Sequence, residues 1–238
     1  MDLMHLEKLR AERDRSELVD LPIPYQDLCQ RYEALYTGAV NDVLREHLLL
    51  DQALPPAIMP LRDDMIVAGI AFTIRSAPDP TIAGEMDSRV RMLDELHEYA
   101  ICVWDTGSET DAAHWGEVMT ASARARGARG AVIDGGIRDT RQVLAQNFPV
   151  FYRYRTSNGS LGRCKITGHQ VPVKIDKVII RPGDIVLGDI DGVVIVPRTL
   201  AYEVLVRAEE IVASEQEIRR WIREGLSADQ VVARGGYF

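Results

Sequence analysis

Apolar residues recur at helical spacing from Tyr25 to about Leu50. Leu28, Tyr32 and Leu35 fall on one stripe, and Val40, Val43 and Leu44 on another. The spacing predicts two helices divided at Thr37-Gly38, with Thr37 as the N-cap of the second. Pro55, Pro56 and Pro60 exclude helix in the stretch that follows. Met65 to Ile74 alternates and is β-branched enough for a strand, with a turn expected at Ala77-Pro78-Asp79-Pro80. A polar helix from about Ala83 to Leu96 precedes Tyr99 to Trp104, an apolar run with the look of a buried strand. Asp111 to Arg126 reads as a helix carrying Trp115, Val118, Met119, Ser122 and Ala125 on one face. Gly130 to Ile133 is the next strand, closed by Asp134-Gly135-Gly136. Strand, helix and strand joined by short loops form the right-handed parallel βαβ unit, whose ligands bind at the carboxyl ends of the strands.

Beyond this unit the period shortens. Val171 to Ile175, Val178 to Ile180, Ile185 to Gly188 and Val193 to Val196 are short strands broken by Arg181-Pro182-Gly183-Asp184 and Asp189-Ile190-Asp191-Gly192, the pattern of an antiparallel sheet. A charged helix from about Thr199 to Arg223 follows. The expected organisation is an N-terminal arm or helix over residues 1–35, one domain over 36–223 and a tail over 224–238.

Composition narrows the function classes. With 46% apolar and 27% charged residues, the 238-residue chain is expected to fold as an ordinary globular protein. A net charge of -8 argues against nucleic acid as a partner, because that affinity comes mostly from cationic side chains meeting phosphates. Only four of the 28 cationic side chains are lysines, so positive charge is mainly guanidinium, which suits bidentate carboxylate recognition. Cys29, Cys102 and Cys164 are widely spaced and read as free thiols. No apolar signal core opens the sequence and no stretch reaches the roughly 20 apolar residues of a membrane span, so the expectation is a cytoplasmic protein without a membrane partner.

The sequence holds no P-loop, no GxGxxG after a strand, no HExxH and no GxSxG, and its five histidines are scattered. Polar groups concentrate instead around the βαβ unit, in Trp115-Gly116-Glu117-Val118-Met119 and Asp134-Gly135-Gly136-Ile137-Arg138-Asp139. If the regular helix starts near Gly116, the amides of Glu117, Val118 and Met119 are first-turn donors suited to a carboxylate. Arg138 could hold that carboxylate from the other side, and Asp139 could bind a hard cation with Glu117 nearby. By spacing alone, Arg138 and Asp139 fit better a turn and a surface ion pair, with Glu117 a solvated helix residue. Arg75, at a strand end, could reach a second carboxylate or a hydroxyl, or make a structural ion pair. His114 reads as a packed helix residue.

The stretches WGEVMTASARARGARGAVIDGGIRD, FPVF, VPVKIDKVIIRPGDIVLGDIDGVVIVP and TGAVNDVL resemble the RraA-like proteins. That family contains divalent-metal-dependent 4-hydroxy-4-methyl-2-oxoglutarate aldolases and the regulator of ribonuclease activity A. The resemblance spans about Tyr36 to Arg223. It implies an α/β fold of the swivelling β/β/α, phosphohistidine-domain-like kind, with a central βαβ unit, an antiparallel C-terminal sheet and a long C-terminal helix.

For the site, the resemblance implies that Gly116, Glu117, Val118 and Met119 contact the pyruvyl part of a 2-oxo acid and that Arg138 binds its carboxylate end. Asp139 is implied to hold Mg2+, Mn2+ or another divalent cation, with Glu117 acting on it through water. An acid from the C-terminal helix of a neighbouring subunit contributes in some members; Glu215 is the candidate here, with Glu209 and Glu210 as rivals. The implied activity is class II aldol cleavage to pyruvate plus a carbonyl product, with oxaloacetate decarboxylation by the same enolate chemistry, in a homotrimer or homohexamer. Other readings are a sugar-acid aldolase or dehydratase using the same site, and a non-catalytic ribonuclease regulator. A Schiff-base route would need a pocket lysine, and Lys174 and Lys177 look solvent-facing.

Overall fold

The structure, a computed structural model, describes residues 4–13 and 19–238. Helices α1 (Met4–Arg13), α2 (Tyr25–Glu33) and α3 (Thr37–Glu46) come first. Strands β1 (Met59–Pro60) and β2 (Val67–Pro78), helix α4 (Glu85–Asp94), and strands β3 (Ala100–Asp105) and β4 (Ala113–Trp115) follow. Next are α5 (Glu117–Ala125), β5 (Gly130–Ile137), α6 (Thr140–Ala145) and β6 (Val150–Arg155). The chain continues through β7 (Cys164–His169), β8 (Val173–Ile175), β9 (Val178–Ile180), β10 (Ile185–Asp189) and β11 (Gly192–Val196) to α7 (Ala201–Arg223) and α8 (Ala228–Ala233).

Nine strands form one mixed sheet in the order β1-β6-β5-β3-β2-β10-β11, with β4 paired to β5 and β7 to β2. The expected βαβ unit is present as β3, α5 and β5, with β3 and β5 parallel and Ile101 opposite Gly130. The sheet curls until its ends almost meet: Leu54 N–H donates to Val193 O at 2.9 Å and Ile195 N–H to Gln52 O at 2.9 Å, tying the approach to β1 onto β11. Strand alternation sorts the side chains. On β3, Ile101 and Val103 point into the curl with Val132, Phe151 and Val186, a core capped by the small β8-β9 sheet. Cys102 and Trp104 point outward and pack under α4, α5 and α6 with Phe72, Met92 and Trp115. A third cluster packs α2, α3 and α7 onto β2, β10 and β11 through Leu28, Tyr32, Val40, Leu44 and Leu205.

Four expectations are corrected. The helix expected from Asp111 begins only at Glu117, and Ala113–Trp115 is strand; His114 therefore lies on β4 and not in a helix. Thr37 is the first residue inside α3 and its hydroxyl caps nothing local. Its backbone N–H and its hydroxyl both donate to the Asp189 carboxylate, at 2.7 and 2.8 Å, so the helix start is satisfied from the distant β10-β11 turn. Strand β2 runs through the expected turn as far as Pro78, which pairs with Cys164, a strand-end position where a missing N–H costs little. The C-terminal strands do not make one antiparallel sheet: β8 and β9 stand apart, whereas β10 and β11 join the large sheet beside β2.

Candidate functional site

The carboxyl ends of β3 and β5 deliver the polar segments to one edge of the sheet. Strand β5 extends past the expected stop at Ile133 to Ile137, straight through Asp134-Gly135-Gly136. These glycines serve close approach and not flexibility. A Cβ on Gly136 would lie 2.5 Å from the Tyr154 ring and 2.7 Å from the Ala112 carbonyl oxygen, and one on Gly135 would meet the Thr106 methyl at 2.9 Å. Asp134 is buried, accepts from Arg153, and has its carboxyl pushed up by burial.

After Ile137 the chain turns into α6 through Asp139, held in the left-handed region at φ 52°. Asp tolerates that conformation better than most side-chain-bearing residues. The turn brings the Asp139 carboxylate over the start of α5. A Cβ on Gly116 would lie 2.6 Å from Asp139 Oδ2, and the Glu117 N–H donates to the same oxygen at 3.4 Å. Arg138 Nε lies 3.6 Å from that oxygen, and both side chains remain open to solvent, at 49% for Arg138 and 41% for Asp139. The Arg138 backbone N–H donates to Trp115 O at 2.9 Å, which fixes the two segments to each other. A Cβ on Gly159 would meet an Arg138 guanidinium nitrogen at 2.7 Å, so glycine there also makes room for the arginine.

The first intrahelical donor of α5 is Thr120 N–H, to Gly116 O at 3.0 Å. The Val118 and Met119 amides are therefore first-turn donors without intrahelical acceptors, as the sequence suggested. Glu117 is exposed on the same turn. The structure thus brings Gly116, Glu117, Val118, Met119, Arg138 and Asp139 into one neighbourhood.

Within the one chain, Arg75 and Glu215 lie elsewhere, and Glu215 was expected to act only from a neighbouring subunit. Arg75 lies within β2, opposite Asp105 of β3 on one side and Gly168 of β7 on the other, and β3 separates it from β5. Glu215, on α7, accepts from Tyr36 and from Arg219 within the same chain; its rivals Glu209 and Glu210 are engaged by Arg31 and Arg207.

Beside Asp139 opens a cleft of about 410 Å³ lined by Ile137, Arg138, Asp139, Thr140, Arg155, Thr156 and Ser157. Arg155 was not foreseen. It ends β6 opposite Ile137, stacks on Tyr152 and donates to its hydroxyl at 2.8 Å, so a second guanidinium faces the cleft that Arg138 enters. The alternation of Tyr152-Arg153-Tyr154-Arg155 signals a strand, but only the β5-β6 register reveals which arginine reaches the cleft. Lys174 and Lys177 are exposed on β8 and its turn, and among the described residues no lysine lines the cleft.

The sequence model of the RraA-like family, described as aldolase/RraA, matches residues 37–195, and the chain belongs to that family. A protein of Halalkalibacterium halodurans named "Putative 4-hydroxy-4-methyl-2-oxoglutarate aldolase" is 31% identical over 202 residues, covering 85% of this chain and 91% of that protein. Protein DlpA of Legionella pneumophila is 28% identical over 174 residues, and the match spans 73% of this chain but only 28% of DlpA. Among solved structures, a chain from a set described as novel cellulases from microbes associated with the gut ecosystem is 56% identical, with a TM-score of 0.88, covering 91% of this chain and 96% of that one. RraAS2 of Streptomyces coelicolor, described as an unusual member of the RNase ES inhibitor RraA protein family, shares the fold with a TM-score of 0.77 at 23% identity, covering 83% and 99%. The α/β fold expected from the resemblance is therefore the fold of this chain.

Proposed function

We propose that the chain is a divalent-metal-dependent aldolase that cleaves a 4-hydroxy-2-oxo acid to pyruvate and a carbonyl product, with oxaloacetate decarboxylation as a second activity of the same site. The observation that carries this reading is the Asp139 carboxylate lying over the side-chain-free start of α5, with the Arg138 guanidinium beside it. The name of the Halalkalibacterium relative points the same way.

The residues fit Mg2+ or Mn2+. Gly116 leaves the hollow that a Cβ would fill, and Asp139 offers a hard oxygen open to water, which suits a cation that keeps most of its aqueous shell. Asp139 would hold the cation, with Glu117 acting through water. When bound, the cation supplies Lewis acidity that draws electron density out of the 2-oxo group as the C3–C4 bond breaks.

The chain's own groups do the rest. Arg138 grips the substrate carboxylate, and the Val118 and Met119 amides donate to the same pyruvyl end, fixing the reacting bond. Glu117, exposed on the first turn, is the carboxylate that takes the C4 hydroxyl proton through a bridging water. The enolate of pyruvate is then protonated at C3 and leaves as pyruvate. Arg155, across the cleft, is placed to hold the far carboxylate of a dicarboxylic substrate. A Schiff-base route has no lysine in the cleft to use. A homotrimer or homohexamer is part of this reading, by the resemblance to the family.

The test is a coupled pyruvate-release assay on 4-hydroxy-4-methyl-2-oxoglutarate, oxaloacetate and 2-oxo-3-deoxy sugar acids, with and without Mg2+. The expected result is release from at least one substrate that stops on metal removal and returns on adding Mg2+. Turnover indifferent to chelation sinks the metal route. Silence on every substrate, together with stable capture of a ribonuclease, puts the regulator reading in its place.

A further inference from the structure

We propose a second cation site, built for Zn2+ or a similar thiophilic divalent ion, from Glu109, His114 and Cys164. One ligand atom from each of these residues lies within 4.8 Å of the other two. They come from three separate segments: the loop after β3, strand β4 and the first residue of β7. In a tetrahedral site, bonds of about 2.0–2.3 Å place ligand atoms roughly 3.3–3.8 Å apart, so closing on an ion needs a contraction of only about 1 Å. The donor set of carboxylate oxygen, imidazole nitrogen and thiolate sulfur suits Zn2+ and disfavours Mg2+. It is distinct in chemistry from the exposed, all-oxygen surroundings of Asp139, and it does not rest on the aldolase reading.

The independent sign of a missing ligand is His114. Its residue exposure is 2%, and neither ring nitrogen has a hydrogen-bond partner. Leaving a buried polar group unpaired costs on the order of 1–3 kcal/mol, and a cation on the ring removes that cost at one nitrogen. Trp104 packs edge-on against the imidazole at 5.5 Å, and the Ala112 carbonyl, which accepts from the Tyr154 hydroxyl at 3.1 Å, acts on the ring without closing a hydrogen bond to it. Burial holds the imidazole down to about 4, leaving it neutral with a lone pair to give.

The other two ligands are prepared in different ways. Glu109 is aimed by its surroundings: the Asp111 and Ala112 N–H groups donate to its two oxygens at 2.7 and 2.6 Å, and the Tyr154 hydroxyl donates at 3.0 Å. Such partners are what orient a metal-binding carboxylate. Cys164 is a free, buried thiol, pushed up to about 11 by burial. On binding, its S–H proton leaves to solvent and the S–metal bond forms, so thiolate, Glu109 and a dication sum to no net charge. The nearby Arg89 charge acts against a cation on His114, and its pairing with the buried Glu85 at 2.5 Å offsets part of that charge. Three protein ligands leave a fourth position for water. The ion would staple the Glu109 loop and β7 to β4, two residues before Gly116.

The experiment is a Co2+ titration of the reduced, chelator-treated full chain, followed by near-ultraviolet and visible absorption. A thiolate-to-cobalt charge-transfer band that saturates at one equivalent and is displaced by Zn2+ is expected. It should persist in Asp139→Asn, vanish in Cys164→Ser, and need about 10-fold or more Co2+ in His114→Gln. No band from the wild-type chain, or a full band from Cys164→Ser, overturns the site. Should Cys164→Ser not fold, His114→Gln decides, and undiminished Co2+ affinity there overturns it.

Discussion

Gly116 and Asp139 are locked by shape: a single methyl group on Gly116 would stand 2.6 Å from Asp139 Oδ2, closer than any unstrained contact. Gly116→Ala therefore displaces the carboxylate proposed to hold the cation while leaving the core untouched. A misplacement of about 1 Å at a reacting centre costs on the order of 100-fold in rate. The expected result is a fall in kcat of that order with a melting temperature within a few degrees of wild type, checked by steady-state kinetics and thermal melts. Unchanged kcat would separate Gly116 from the chemistry.

Asp189 satisfies the start of α3 from across the fold, through the Thr37 amide and hydroxyl. Removing a helix cap costs about 1–2 kcal/mol. For a chain of this size that lowers the melting temperature by roughly 2–8 °C. Asp189→Ala should melt that much lower and keep the proposed metal-dependent activity, since Asp189 does not line the cleft. A melt matching wild type would show that the cap contributes little.

This cap illustrates what was legible in the sequence. Alternation and helical spacing revealed the βαβ unit, the two N-terminal helices and α7, because each depends on neighbours within one or two turns. The Thr37–Asp189 pair joins residues 152 apart, and no local pattern announces it. Residues 113–115 read as the start of a helix because Trp115 falls on one face with Val118, Met119, Ser122 and Ala125. They are strand because β5 runs on to Ile137 and offers an open edge. The candidate site divides in the same way. Gly116 to Met119 and Arg138-Asp139 are compact motifs and could be found, whereas Arg155 depends on strand register and the Glu109-His114-Cys164 cluster on three separate segments.

Arg155 lines the same cleft as Arg138, the residue proposed to take the pyruvyl carboxylate. Arg155→Gln should raise KM for 4-hydroxy-4-methyl-2-oxoglutarate by about 10-fold or more, the loss expected for a charge-assisted, two-point contact. A 4-hydroxy-2-oxo acid without a second carboxylate should be nearly unaffected. Equal losses on both substrates, measured side by side, would assign Arg155 to the common pyruvyl end instead.

Burial pushes the Asp184 carboxyl up to about 6, although the Arg181 and Arg198 N–H groups donate to it at 2.7 and 3.1 Å. The folded chain then holds this proton more tightly than the unfolded chain, where the pKa is about 3.9. Its contribution to stability is complete below about pH 4 and is lost as pH rises through the folded value near 6. Asp184→Asn removes the titration. The melting temperature of wild type minus that of the variant should fall between about pH 4 and 7. A difference that stays flat contradicts the assignment.

The most direct test of Asp139 as the residue that holds the cation is pyruvate release by wild type and Asp139→Ala, each titrated with Mg2+ after chelation. The wild-type chain should be silent without metal and saturate with it. The variant, folded by circular dichroism, should remain at least about 1,000-fold slower at every Mg2+ concentration, the scale of losing the main electrostatic stabilisation of a developing charge. Full activity in Asp139→Ala, or turnover by wild type in excess chelator, would contradict it.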